Sequence, residues 1–504
     1  MSSQVRRLNI ADEKFSGKKV LGFSLVRLGN ILQGMLIGEI TYFATNSLGL
    51  AAAAVSAGMA AKTAIDAVTD IFMGAIVDAT HTKYGKARPW ILAGIPMWIL
   101  TLLVFLAPKA VMSDTGLVIY LTVLSTLGTA IFGTMSNIAY ETHIKRSIVN
   151  NENRVRALTI IGVVFAIGSL GLQIALPALI DAFHGAQSGF IILAAVTTVI
   201  GILASVFAFF LCPEYTDEEL AAFEGYEAEK QQEKVSIGEF LKSIGKNKYL
   251  IQYTIINFLY MMVMMSGFTV GQFYFQYVFG DLGTFSLVMA VSAVMMPIYI
   301  FIPRLCKKFG VARVIQFSLV IAIICLVIRM VFPGFLATQM IGYLGVSLPN
   351  IFVACVGSQV NYELMEYGRY QSGVVVEGMY SAFVSFAQKM ATSLTSVIIG
   401  VILSATGFDN LTKAVTENGF QDWAELSALG EAGYEQYVAG GAATVERAMN
   451  GINIAYNWVP LIFIGICVIL FFFFFHLERD LKNLRVENGF NEDGTLAVQE
   501  QKEA

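Results

Sequence analysis

Three charged residues share one helical face in the second apolar stretch of this chain: Lys62, Asp66 and Asp70, each four residues from the next. A charge at the centre of a membrane-spanning helix costs about 2.5–3.5 kcal/mol on insertion scales, so such residues are functional by default. Two carboxylates one turn apart are hard oxygen ligands suited to a small cation. They can equally share a proton, because ionisation of one opposes ionisation of the other. Thr69, beside Asp70, offers a hydroxyl oxygen. A plainer reading, a Lys62–Asp66 pair within the helix, leaves the second acid without a partner. Far along the chain, Lys389 lies deep in another apolar stretch. It needs a counter-charge, and the two acids are the obvious candidates. Further polar residues sit in the first stretch (Arg27, Asn30, Glu39) and the fourth (Thr134, Asn137, Glu141). Thr134 and Asn137, three apart, share a face. Glu39 lies about half a turn of phase from Asn30. Arg27 and Arg329 stand near stretch ends, where a long cationic side chain can snorkel. The four histidines fall in loops or at stretch ends, so any coupling is expected to run through carboxylates.

These residues must be positioned by helices that cross a bilayer. Of 504 residues, 56% are hydrophobic and only 14% charged, against about 25% charged in a soluble domain. The chain holds twelve apolar spans: 21–45, 51–77, 89–107, 116–140, 157–181, 188–211, 249–278, 283–303, 311–332, 335–360, 377–404 and 454–476. Each is near or above the length of about 20 residues that spans a bilayer. Lys and Arg crowd the connections after spans 2, 4 and 8, and Arg369 lies after span 10; the opposite short connections carry only Lys109. This bias places the basic connections and both termini in the cytoplasm. The connection 213–248 is densely charged, and Thr216 with Glu219 reads as a capping box. The segment 405–453 is acidic, external and long for a compact bundle. A small cap and a tolerated insertion are both open readings of it.

The expectation is an all-α membrane protein with twelve transmembrane helices in two six-helix halves. The N-terminal half covers 1–212, a cytoplasmic linker 213–248, the C-terminal half 249–480 with its external loop 405–453, and a cytoplasmic tail 481–504. Six plus six suggests the major facilitator fold, whose substrate site lies at the midplane between the halves. The net charge of −4 offers no basic face for nucleic acid. The five scattered cysteines form neither a metal spacing nor a paired framework. No phosphate-binding glycine loop, ring of pore acids or enzyme constellation is visible.

Two stretches carry a resemblance. The first runs from Asp66 through Asp70, Gly74, Asp78, Lys83, Gly85, Lys86 and Arg88 to Trp90. The second comprises Glu366–Gly373, then Glu377–Gly378, then Ser385-Phe386-Ala387-Gln388-Lys389. Together they resemble the glycoside–pentoside–hexuronide:cation symporters, the family of melibiose and glucuronide permeases. The resemblance implies that Asp66 and Asp70 bind the coupling cation, with Thr134 contributing. It also implies that Lys389 is the charged neighbour of that site. Thr69 falls where melibiose permease has an asparagine, which leaves Na+ and H+ both open. Asn30 and Asn137 fall where it has two sugar-binding aspartates, and Glu141 and Ala354 where it has tryptophans. Glucuronide permeases look similar at both asparagines. Asparagine can bind hydroxyls without repelling a uronate carboxylate, whereas Glu141 would oppose one.

The function expected is therefore cation-coupled (Na+ or H+) sugar symport by alternating access, with a lean toward a glucuronide. A neutral glycoside or pentoside is the alternative, as is a non-transporting membrane sugar sensor. The substrate-binding candidates are Asn30, Asn137, Glu141, Ser385 and Gln388, and the charge partners are Lys389 and Lys62. Gly74, Asp78, Gly85, Lys86 and Arg88 are candidates for a cytoplasmic gate. No cofactor, metal or nucleic acid is expected. The partners are the sugar and the lipid bilayer of the cell membrane, and a monomer is expected.

Overall fold

The computed structural model describes residues 8–9, 13–78, 80, 82–216, 219–220, 223–224, 244–295, 298–372 and 377–488. Helices dominate them, and the only strand pairing among them is a two-residue parallel one, Leu8–Asn9 with Phe223–Glu224. The all-α expectation holds. Ten helices among the described residues are long and apolar enough to cross a membrane. They fall on ten of the twelve spans read from the sequence. The other two depart for visible reasons. Span 2 is one unbroken helix, Ala52–Asp78, whose apolar character is diluted by Lys62, Asp66, Asp70 and Asp78. Span 8 is divided into Gly283–Ala290, a tighter 3-10 segment Val291–Met295, and Ile298–Phe309.

The residues gather into two compact units. The first takes in 1–230, 268–290 and 392–456, so it includes the later part of spans 7 and 11 and the start of span 8. Within it, spans 1 and 7 meet through a buried polar ladder at the end the charge bias assigns to the outside. Gln272 Nε2 donates to Glu39 Oε2 at 2.6 Å, Tyr42 Oη donates to Gln276 Oε1, and Tyr277 Oη donates to Asn46 Oδ1 at 2.6 Å. Glu39 is thus buried in packing, its Oε1 without a hydrogen-bond partner. Spans 2 and 11 approach through small residues. Ser393 Oγ donates to the Ala60 carbonyl at 3.0 Å, and a Cβ on Gly400 would collide with Ser56.

The segment 405–453 is a folded cap. Its helices are Phe408–Glu417, Trp423–Ser427, Gly430–Tyr437 and Gly441–Asn453. Leu411, Trp423, Leu426, Ala448 and Ile452 are buried, and Trp423 stacks on Tyr434 with ring centroids 5.7 Å apart. The linker's capping box is present: Thr216 N–H donates to Glu219 Oε2 at 2.8 Å, and Glu219 N–H donates to Thr216 Oγ1 at 3.3 Å.

The second unit comprises 231–267, 291–391 and 457–504. It corrects one expectation. Arg329 does not snorkel: it is 3% exposed and donates through Nε to Asn457 Oδ1 at 2.8 Å. Gly342 makes room for it, since a Cβ there would press on the arginine stem.

Each unit carries the same capping device. In the first, Gly85 has φ +107° just before span 3, and Glu214, just after span 6, accepts from the N–H groups of Lys86, Ala87 and Arg88 at 2.7–2.9 Å. In the second, Gly310 has φ +87° just before span 9, and Glu478, just after span 12, accepts from Ala312 N–H at 2.9 Å. A left-handed glycine with a carboxylate on the helix N-terminus beyond it satisfies backbone donors that would otherwise be orphaned.

Candidate functional site

The site is built where spans 1, 2 and 4 converge, all within the first unit. Gly58 sets the spacing of spans 2 and 4: a Cβ there would collide with Thr122. Span 4 then passes through a π-helical segment, Leu127–Gly133, before resuming as Thr134–Ser147. Wider π turns rotate the remainder of a helix relative to its start and recur at functional sites. Thr134, the first residue after the segment, is buried, and its Oγ1 donates to Asp66 Oδ1 at 3.1 Å. Thr69 Oγ1 donates to the carbonyl of Asp66 at 3.0 Å. A carboxylate and two hydroxyl oxygens therefore gather around one turn of span 2. Lys62, half-buried, lies one turn before Asp66. Asp70, Gly74 and Asp78 lie on the helix Ala52–Asp78, where the structure describes the backbone alone at these positions.

One turn along the same face of span 4, Asn137 accepts from Asn30 Nδ2 at 2.8 Å. The acid–hydroxyl pair and the amide pair are thus neighbours, about 4.5 Å apart along the helix axis. Glu141, a further turn on, is exposed. Span 1 is oriented by Gln33, whose Nε2 donates to Thr101 Oγ1 of span 3 at 3.2 Å. Arg27 lies against two ring faces, at 4.9 Å from the Phe165 centroid and 5.8 Å from that of Tyr140. Its place is set by cation–π contact with spans 4 and 5.

Ser385, Gln388 and Lys389 lie on the helix Glu377–Thr406, in its part belonging to the second unit. Ser385 is exposed, and the other two are half-buried. Of the gate candidates, Gly85, Lys86 and Arg88 are drawn together around Glu214, which also accepts from Arg146 Nε at 2.6 Å. Arg88 Nε donates to the Phe209 carbonyl at 2.8 Å. Glu214 was not singled out by the sequence, which placed it in the linker; its only signal is an acid three residues after the end of span 6. His143, read as lying at a span end, is fully buried there, Nε2 2.8 Å from the Cys212 carbonyl oxygen.

Many apolar spans with buried polar pairs between them are the architecture of a polytopic membrane transporter. The chain belongs to the MFS/sugar transport protein family, whose model matches residues 30–479. The resemblance to glycoside–pentoside–hexuronide symporters is borne out by relatives. The isoprimeverose transporter of Lactiplantibacillus pentosus is 24% identical over 88% of this chain and 85% of its own length. A glucuronide carrier protein homolog of Escherichia coli is 23% identical over 79% and 85%. Among solved structures, a bacterial homolog of the lysosomal transporter Spinster superposes with TM-score 0.64 at 15% identity, covering 90% of this chain and 95% of that one. The D-xylose-proton symporter gives 0.55 at 13%, over 85% and 99%. At those identities the structural likeness speaks for the major facilitator fold alone.

Proposed function

We propose that this chain is a cation-coupled symporter of a glycoside, with a hexuronide as the favoured substrate. The observation that carries the reading is the contact of Asp66 with Thr134, one helical turn from the Asn30–Asn137 pair. Asp66, Thr134 and Thr69 supply hard oxygen atoms to Na+, or Asp66 takes up a proton. Asp70 completes the set. Lys62 and Lys389 are the charge partners. Cation and sugar share span 4, so filling one site shapes the other. That coupling is what symport requires. Ser385 and Gln388 contribute further polar groups to the sugar, and the Gly74–Arg88 segment serves the cytoplasmic gate. The protein works as a monomer in the cell membrane with both termini in the cytoplasm.

Asparagine at both sugar positions supports a hexuronide, as does a relative named as a glucuronide carrier homolog. A neutral glycoside is the second reading, favoured by exposed Glu141 on the face of Asn137. Uptake into proteoliposomes of a labelled aryl glucuronide and its matching neutral glucoside, each under a Na+ or H+ gradient, decides between them. Glucuronide accumulation is expected, and the gradient that drives it names the ion. Absence of gradient-driven uptake of any sugar would favour the sensor alternative.

A further inference from the structure

We propose that Arg27 is the receptor for the carboxylate of the transported hexuronide, an inference that rests on the hexuronide reading above.

Spans 1 and 4 meet in two successive rungs. In the upper, Asn30 bonds to Asn137; in the lower, the Arg27 guanidinium lies over Tyr140. Both steps, from Arg27 to Asn30 and from Asn137 to Tyr140, are three residues. The guanidinium therefore stands about 4.5 Å along the helix axes from the amide pair. That offset suits a pyranose whose hydroxyls meet the amides while a carboxylate on the ring reaches the lower rung.

The guanidinium is held ready. Tyr140 is buried, and its hydroxyl donates to the Phe23 carbonyl at 3.2 Å, so its ring is fixed. Phe165 covers the guanidinium from span 5. A guanidinium held against aromatic faces keeps its planar set of N–H donors for a ligand. Among the described residues, Arg27 has neither a carboxylate within ion-pair distance nor a hydrogen-bond acceptor. A cation in an apolar span calls for a partner. A planar, five-donor group recognises a carboxylate through two parallel bonds. Glu141 is next to Tyr140 in sequence but makes no ion pair with Arg27.

A purely structural arginine, one that only braces Phe165 and Tyr140, would affect every ligand alike. The test is equilibrium binding of an aryl glucuronide and the matching glucoside to purified wild type, Arg27→Gln and Arg27→Lys. A charge-assisted bond of ordinary strength corresponds to a loss of about tenfold or more in glucuronide affinity for Arg27→Gln. Glucoside affinity should stay within about twofold. Arg27→Lys keeps the cation and loses the paired donors; it guards against a misfolded glutamine variant and should lose glucuronide affinity selectively, by less. An equal fall for both sugars, or none for either, overturns the role of Arg27 while leaving a glucuronide symporter standing. Wild type that binds the glucoside and not the glucuronide overturns the hexuronide reading itself, and this inference with it.

Discussion

Asp409 of the cap accepts from the backbone N–H of Ala52 at 2.8 Å, so the start of span 2 is capped by a residue more than 350 positions away. Ser404 does the same for Ala53, Oγ accepting at 2.9 Å. Helix N-termini need such acceptors. Here they come from the end of span 11 and the segment that joins it to span 12, so separating span 2 from them strips its cap. On the proposed alternating-access mechanism, this cap would fasten the external closure. Losing an N-cap costs about 0.5–2 kcal/mol. Asp409→Ala should therefore raise, by about two- to thirtyfold, the rate at which an impermeant maleimide labels a cysteine placed at Ser56, which is buried beside Gly400. Unchanged labelling would show that the cap rides on the closure without holding it.

Gly400 is expected to be indispensable to closing the outside. A valine there would drive its side chain into Ser56 and the Ala52 carbonyl. Gly400→Val should bind sugar from outside in intact cells yet fail to accumulate it. Uptake at the wild-type rate would mean spans 2 and 11 need not approach this closely.

Glu214 and Glu478 should differ in their cost. Glu214 accepts from three backbone N–H groups and from Arg146, and its side chain is fully buried. Removing one partner of such a buried charge pair costs about 3–5 kcal/mol. Glu478 accepts from Ala312 N–H. Glu214→Ala should lower the thermal midpoint of the purified protein well below that of Glu478→Ala. Equal midpoints would mean the two devices are energetically alike.

Periodicity made part of the site legible in the sequence. Spacings of three and four put Lys62 with Asp66 and Thr134 with Asn137, and the structure adds Thr134 to Asp66 and Asn30 to Asn137 across spans. The capping box at Thr216 was legible because its two partners are local. Long-range partners were not. Arg329 has the position of a snorkelling residue, and nothing local says that Gly342 opens a slot for it. Glu214 sits in a charged linker, and its three N–H donors lie over a hundred residues earlier. Glu39 is off the face of Asn30 because it answers to span 7 instead. The cap's fold was hidden because its apolar residues belong to four short helices that bury them only when packed together.

The central claim is that the Asp66 carboxylate couples cation to sugar. The measurement is accumulation of the accepted sugar in proteoliposomes under the driving cation gradient, wild type against Asp66→Asn, which keeps an acceptor for Thr134. Wild type should accumulate sugar above equilibrium. Asp66→Asn should carry it only to equilibrium, indifferent to the gradient. Gradient-driven accumulation by Asp66→Asn at the wild-type level would contradict the account.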